Sequence, residues 1–164
     1  MERELLLMLN LTDLIRDGQL FHKEYSTRNE YFTDMSNYLF DLGIVTEDFQ
    51  EALETRELSY PTGLITKTRI VSLPHVESKY IKKNALFITC FETPIPFHRM
   101  DDVATTVPVT ISFMLLIKDV DLHIKAIQQI ISLFQDDVLD KIYNAKDKSE
   151  VITMIGEKFN ESAE

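Results

Sequence analysis

Val107-Pro108-Val109-Thr110-Ile111-Ser112-Phe113-Met114-Leu115-Leu116-Ile117 decides the fold class of this chain. A strand with one wet face alternates apolar and polar residues. This run instead ends in unbroken apolar sequence, so it predicts a strand covered on both faces at the centre of a sheet. Ala85-Leu86-Phe87-Ile88-Thr89-Cys90-Phe91 has the same character, and Arg69 to Leu73 reads as a third, shorter strand. Helical patterns lie on either side of these strands. Thr27 and Glu30 have capping-box spacing, and Tyr31, Phe32, Met35, Tyr38, Leu39 and Leu42 recur on one helical face before Gly43. Thr46 is placed to cap a second helix through Glu57, with Phe49, Ala52 and Leu53 facing the core. After the long strand, Ile124, Ile127, Ile130, Ile131 and Phe134 mark a helix from Asp121, and two more are expected over Asp136 to Ala145 and Lys148 to Phe159.

Strands in the middle with helices before and after predict an α/β single-domain layered sandwich, a central sheet flanked by helices on both faces. Connections too long for hairpins predict a mixed sheet. The segment from Glu4 to Tyr25 supports two readings: Leu5 to Leu9 can be helical, and Leu20-Phe21 can open a short strand. No repeat, low-complexity block or Pro/Gly-rich linker divides the chain, so residues 1–164 are expected to form one domain.

Composition narrows the function. Hydrophobic residues at 45% and charged residues at 27% place the chain among soluble globular proteins. No stretch approaches the roughly 18 apolar residues of a membrane helix. The start Met1-Glu2-Arg3-Glu4 lacks a basic region and cleavage site, so a cytoplasmic location is expected. A net charge of −10 argues against a nucleic-acid partner. The single cysteine, Cys90, excludes an intramolecular disulfide and reads as a buried small hydrophobe. No close His or Cys ligand spacing marks a metal site, no P-loop marks nucleotide binding, and no cofactor is expected. A hydrolase reading also lacks a Gly-x-Ser-x-Gly elbow.

His75 carries the chemistry. Imidazole titrates near neutrality, so its nitrogen can attack phosphorus without a strong base. Pro74 fixes one torsion and restricts Leu73 to extended geometry, so the strand delivers the ring at the sheet's lip in few directions. Phosphoryl transfer depends on such positioning and on neutralising charge on the equatorial oxygens. Arg56 offers a planar fork for phosphate, Thr62 a hydroxyl, and Gly63 close backbone approach; equally, Pro61-Thr62-Gly63 is a tight turn and Arg56 a helix-end residue.

The ordered pattern Arg56-Glu57, Tyr60-Pro61-Thr62-Gly63-Leu64, Leu73-Pro74-His75, Asn84-Ala85-Leu86 and the long strand resembles the IIA component of the sugar phosphotransferase system. The likeness is to its fructose and mannitol type, most of all the galactitol branch, over roughly residues 25–155. The resemblance implies a cytoplasmic phosphocarrier. His75 would accept a phosphoryl group from the phosphohistidine of HPr and pass it to the cysteine of a IIB component, ahead of a membrane IIC permease. It assigns phosphate support to Arg56 and Thr62, and it places His123 where many relatives carry a second active-site histidine; an exposed helix-start residue is the other reading. His22 and His98 match no motif and are expected at the surface or in loops, His98 and Arg99 in one that borders the site. A regulatory module, signalling by its phosphorylation state without feeding a permease, is the alternative function.

Overall fold

The computed structural model describes residues 10–163. The helical reading of Leu5 to Leu9 lies outside them. Helix α1 (Leu11–Asp17) and strand β1 (Gln19–Lys23) resolve the rest of the opening segment, with Leu20 and Phe21 in the strand as expected. Asn10 caps α1 through a reciprocal capping box with Asp13. There follow α2 (Arg28–Asp41), α3 (Phe49–Ser59), β2 (Leu64–Ile65), β3 (Ile70–Ser72) and a 3-10 turn (Ser78–Tyr80). Then come β4 (Ala85–Arg99), β5 (Asp102–Leu116), α4 (Val120–Leu133), α5 (Val138–Asn144) and α6 (Lys148–Ala163).

The five strands form one sheet in the order β1-β4-β5-β3-β2. It is mixed: β1 runs parallel to β4 and β3 parallel to β5, while β4-β5 and β2-β3 are antiparallel. The period of two along the central strands sends alternate side chains into two separate cores. Leu86, Ile88, Cys90, Ile111, Phe113 and Leu115 meet α1, α4, α5 and α6 on one face. On the other, Ala85, Phe87, Phe91, Met114 and Leu116 meet α2 and α3. Unbroken apolar sequence in β5 is thus the consequence of covering both faces. Cys90 is buried, and burial pushes its thiol up to about 12, in keeping with a hydrophobe.

Several local expectations need correction. Strands β4 and β5 are longer than their apolar cores and join in a hairpin through Met100 and Asp101, where long connections were expected. The pairing breaks between Cys90 and Ile95, and Pro96 faces Pro108 across the outer segment. The bulge and prolines hide the continuation of β4 from a periodicity reading, and exposed, largely polar residues hide that of β5. His98 and Arg99 accordingly belong to the end of β4, with His98 opposite Thr106. Helix α3 starts at Phe49, and Thr46 does not cap it by side chain; its carbonyl accepts the Phe49 N–H at 3.2 Å. In α2, Tyr31, Phe32, Met35 and Leu39 are buried, whereas Tyr38 and Leu42 lie exposed at its edge. The Thr27 hydroxyl accepts the Glu30 N–H at 3.1 Å, and Gly43 leaves the helix at φ 75° as the sequence requires.

A buried polar chain pins the strand that leads to His75. The Tyr31 hydroxyl donates to Ser112 Oγ at 2.8 Å, and the Ser72 hydroxyl donates to the same oxygen at 2.8 Å. Helix α2 is thereby tied to β5 and to the last residue of β3. Buried hydroxyls leave few alternative registers, since each unpaired one would cost about 1–3 kcal/mol.

Candidate functional site

Beyond Ser72 the chain stays attached to β5. The Leu115 N–H donates to the Pro74 carbonyl at 3.1 Å, and His75 lies opposite Leu115. Leu73 is buried in the α4 core and Val76 in the α2-α3 core. The backbone is therefore anchored on both faces of the sheet, and His75 stands between the anchors at the sheet's end. Its Nδ1 lies 2.7 Å from the Leu73 carbonyl oxygen. A carbonyl only accepts, so Nδ1 carries the proton and donates, and the neutral ring keeps its lone pair on Nε2.

Burial drives the His75 pKa down to about 4. The Leu73 hydrogen bond opposes this, while the positive field of Arg56 and the neighbouring His123 add to it. At neutral pH the ring is uncharged and nucleophilic. A cleft of about 470 Å³ opens over it, lined also by Arg56, Lys79, Val120, His123 and Ile124.

Each companion arrives from a different element. Arg56 projects from the last turn of α3, its guanidinium 5.5 Å from the centre of the Tyr60 ring. Its Nε is buried without a hydrogen-bond partner among the described residues, while the residue as a whole lines the cleft. His123 lies in the first turn of α4, where the Asp119 carboxylate accepts the Leu122 N–H at 3.1 Å and starts the helix. The His123 ring stands edge-on to His75, centroids 5.2 Å apart at 87°. Its buried Nε2 likewise lacks a partner among the described residues. Burial first, then Arg56, lowers the His123 pKa.

Thr62 is placed differently from the other three. Its N–H donates to Glu57 Oε2 at 2.6 Å and its hydroxyl to Oε1 at 2.9 Å. The residue is buried and does not line the cleft. The turn that holds it is also stitched to β4: the Gly63 N–H donates to the His98 carbonyl at 3.0 Å, and the Met100 N–H to the Gly63 carbonyl at 2.8 Å. A side chain at Gly63 would meet His98 O at 2.6 Å, so glycine is required there by close approach. His98 thus reaches the turn through its backbone, away from the cleft. His22 is exposed on β1 and donates through Nε2 to the Ala145 carbonyl at 2.7 Å.

Two features escape a sequence reading. Glu57 is a buried carboxylate, although its helix position gives no more than an Arg-Glu pair. In α4 the core stripe is Leu122, Ala126, Ile130 and Leu133. Val120, Ile124 and Ile131 are exposed and Ile127 half-buried, a second apolar stripe at spacings of four and three residues. A helix apolar on two sides cannot reveal by periodicity which side is buried. The second stripe begins at the rim of the His75 cleft.

Comparison with known proteins bears on the family and the fold. The family model for the phosphoenolpyruvate-dependent sugar phosphotransferase system, EIIA 2, matches residues 14–158. The galactitol-specific EIIA component of Escherichia coli strain K12 is 24% identical over 116 residues, covering 70% of this chain and 77% of the relative. Among solved structures, a phosphotransferase-system IIA domain from Streptococcus pyogenes M1 GAS superposes with a TM-score of 0.69 at 23% identity, over 91% of this chain and 97% of that one. The Escherichia coli mannitol enzyme IIA, solved in complex with phosphorylated mannitol enzyme IIB, gives 0.66 at 17% identity over 84% and 93%. With the family model matched along most of its length, the chain belongs to the EIIA 2 family of the phosphoenolpyruvate-dependent sugar phosphotransferase system.

Proposed function

We propose that the protein is a cytoplasmic phosphocarrier that takes a phosphoryl group from the phosphohistidine of HPr onto Nε2 of His75. It then passes the group to the cysteine of a IIB component, ahead of a membrane IIC permease for a galactitol-type sugar. Residues 1–164 act as one IIA unit. The observation that carries this reading is the Nδ1–H of His75 held on the Leu73 carbonyl, which leaves Nε2 for a cleft it shares with Arg56 and His123.

The chemistry balances without an outside proton. The lone pair on Nε2 attacks phosphorus as the donor's P–N bond breaks in line, and the donor ring leaves as neutral imidazole. His75 becomes a phosphorylated imidazolium whose Nδ1–H stays on the Leu73 carbonyl, which is oriented to stabilise the positive ring. The charge of Arg56 neutralises the equatorial oxygens, and His123 sets a second imidazole in the same cleft. In the return step a thiolate attacks phosphorus, the P–N bond breaks, and the ring regains its Nε2 lone pair. Thr62 supports the phosphate indirectly, by fixing the turn behind Arg56. One P–N bond is exchanged for another in the first step, which suits a reversible relay.

A macromolecular partner also suits the rim. Val120 and Ile124 are exposed beside His75, and apolar side chains bordering a charged centre favour protein docking over capture of a small polar sugar. The test is to supply phosphoenolpyruvate, enzyme I and HPr, then add IIB proteins of galactitol and mannitol type. The expected result is a phosphoryl group gained by this protein and discharged to a IIB cysteine, fastest for the galactitol type. A protein that takes up phosphate and delivers it to no IIB would instead support the regulatory role.

A further inference from the structure

Among the described residues Glu57 is the one carboxylate that is fully buried, at 2% exposure. Taking a carboxylate out of water is costly unless it is hydrogen-bonded and paired. Burial raises its pKa, against which act the Thr62 N–H, the Thr62 hydroxyl, and the charges of Arg28 and Arg56. A turn alone could be braced by a neutral side chain, as Thr66 does where it accepts the Arg69 N–H at 3.1 Å. An ionisable group at this position therefore calls for a reason beyond the turn.

Position supplies one. Glu57 follows Arg56 in the last full turn of α3, and the helix ends at Tyr60, whose N–H donates back to the Arg56 carbonyl at 2.7 Å. Thr62 lies on the far side of that exit. By gripping the Thr62 amide and hydroxyl, Glu57 closes the segment from 57 to 62 into a loop whose other end is stitched to β4. The loop follows directly on Arg56, and the Glu57 carboxylate and the Arg56 guanidinium feel each other's opposite charge. We propose that Glu57 is a positioning residue for phosphoryl transfer, its buried carboxylate holding the Thr62 turn and Arg56 so that the guanidinium faces the Nε2 side of His75. This rests on His75 being the phosphoryl acceptor.

A double-mutant cycle tests it, measuring single-turnover phosphorylation by phosphorylated HPr in the full chain. Glu57→Gln should slow transfer by about tenfold, within the range of coupled neighbours, with little change in the HPr concentration for half-maximal rate. In an Arg56→Ala background the same substitution should have almost no further effect, because the group through which Glu57 acts is gone. An equal fold-loss in both backgrounds would overturn the proposal, since a general structural prop acts regardless of Arg56. If Glu57→Gln does not fold, Thr62→Val removes only the hydroxyl from the grip and decides the cycle in the same way. Rescue by Thr62→Ser is expected. A wild-type chain that takes no phosphate would instead refute the His75 reading, a result distinct from additive losses.

Discussion

Lowering the pH from 7 to 5 separates this site from an ordinary surface histidine. At the usual value of 6.5 about 3% of the rings would be neutral at pH 5, whereas at about 4 roughly 90% remain so. Transfer onto His75 should therefore lose about a tenth of its rate over that interval instead of about 25-fold, provided the donor is held in one state. Nitrogen-15 NMR of the labelled histidines reads the titration directly. The expected midpoint lies near 4, with Nδ1 protonated and Nε2 bare across the neutral range. Burial is the largest cause, so Arg56→Gln should move the midpoint up only part of the way to 6.5. The same shift links to folding. The unfolded chain binds more protons between the two values, so the contribution of the neutral ring is complete above about pH 6.5 and lost as pH falls to about 4. Its size is at most about 3 kcal/mol. A midpoint near 6.5, or an Nε2–H tautomer at pH 7, would refute the geometry on which the nucleophile assignment stands.

Replacing Arg56 with Ala should slow phosphorylation by about a hundredfold, as removal of a preorganised charge-stabilising donor does, while thermal unfolding changes little; an unchanged rate would make the arginine a bystander. Gly63→Ala drives a Cβ into the His98 carbonyl and should cost about 1–3 kcal/mol in urea unfolding, and wild-type stability would show that the turn is not clamped. Ile124→Asp puts a charge on the exposed stripe at the cleft rim, so the HPr concentration for half-maximal rate should rise severalfold with the melting temperature intact. Insensitivity to that change would exclude the stripe from docking.

The architecture was readable where one physical cause dominates. The two-sided burial of β5 and the inner half of β4 leaves continuous apolar sequence, and the Gly43 stop of α2 needs a positive φ that little else tolerates. The outer half of β4 was not readable because Pro94 and Pro96 interrupt the pattern, and the start of β5, Asp102 to Thr106, was not because it is exposed and largely polar. Strand β2 has two residues, too few for any period. At the site, the Pro74-His75 step and the Arg56 position announced a cluster that the fold gathers from β3, α3 and α4. Thr62 has the right address and a different contact: its hydroxyl faces Glu57, because a buried carboxylate outcompetes an open cleft as an acceptor. That pairing joins α3 to a turn five residues on, and no spacing rule distinguishes it from a solvent-facing glutamate.

The proposed relay stands or falls with the phosphoryl group on Nε2 of His75. Intact mass and peptide mapping after incubation with phosphoenolpyruvate, enzyme I and HPr, with phosphorus-31 and nitrogen-15 NMR to place the bond, measure it most directly. The expected result is one acid-labile phosphoryl group on Nε2 of His75 and none on His75→Ala; labelling that persists in His75→Ala, or a phosphoryl group on Nδ1, would overturn the assignment.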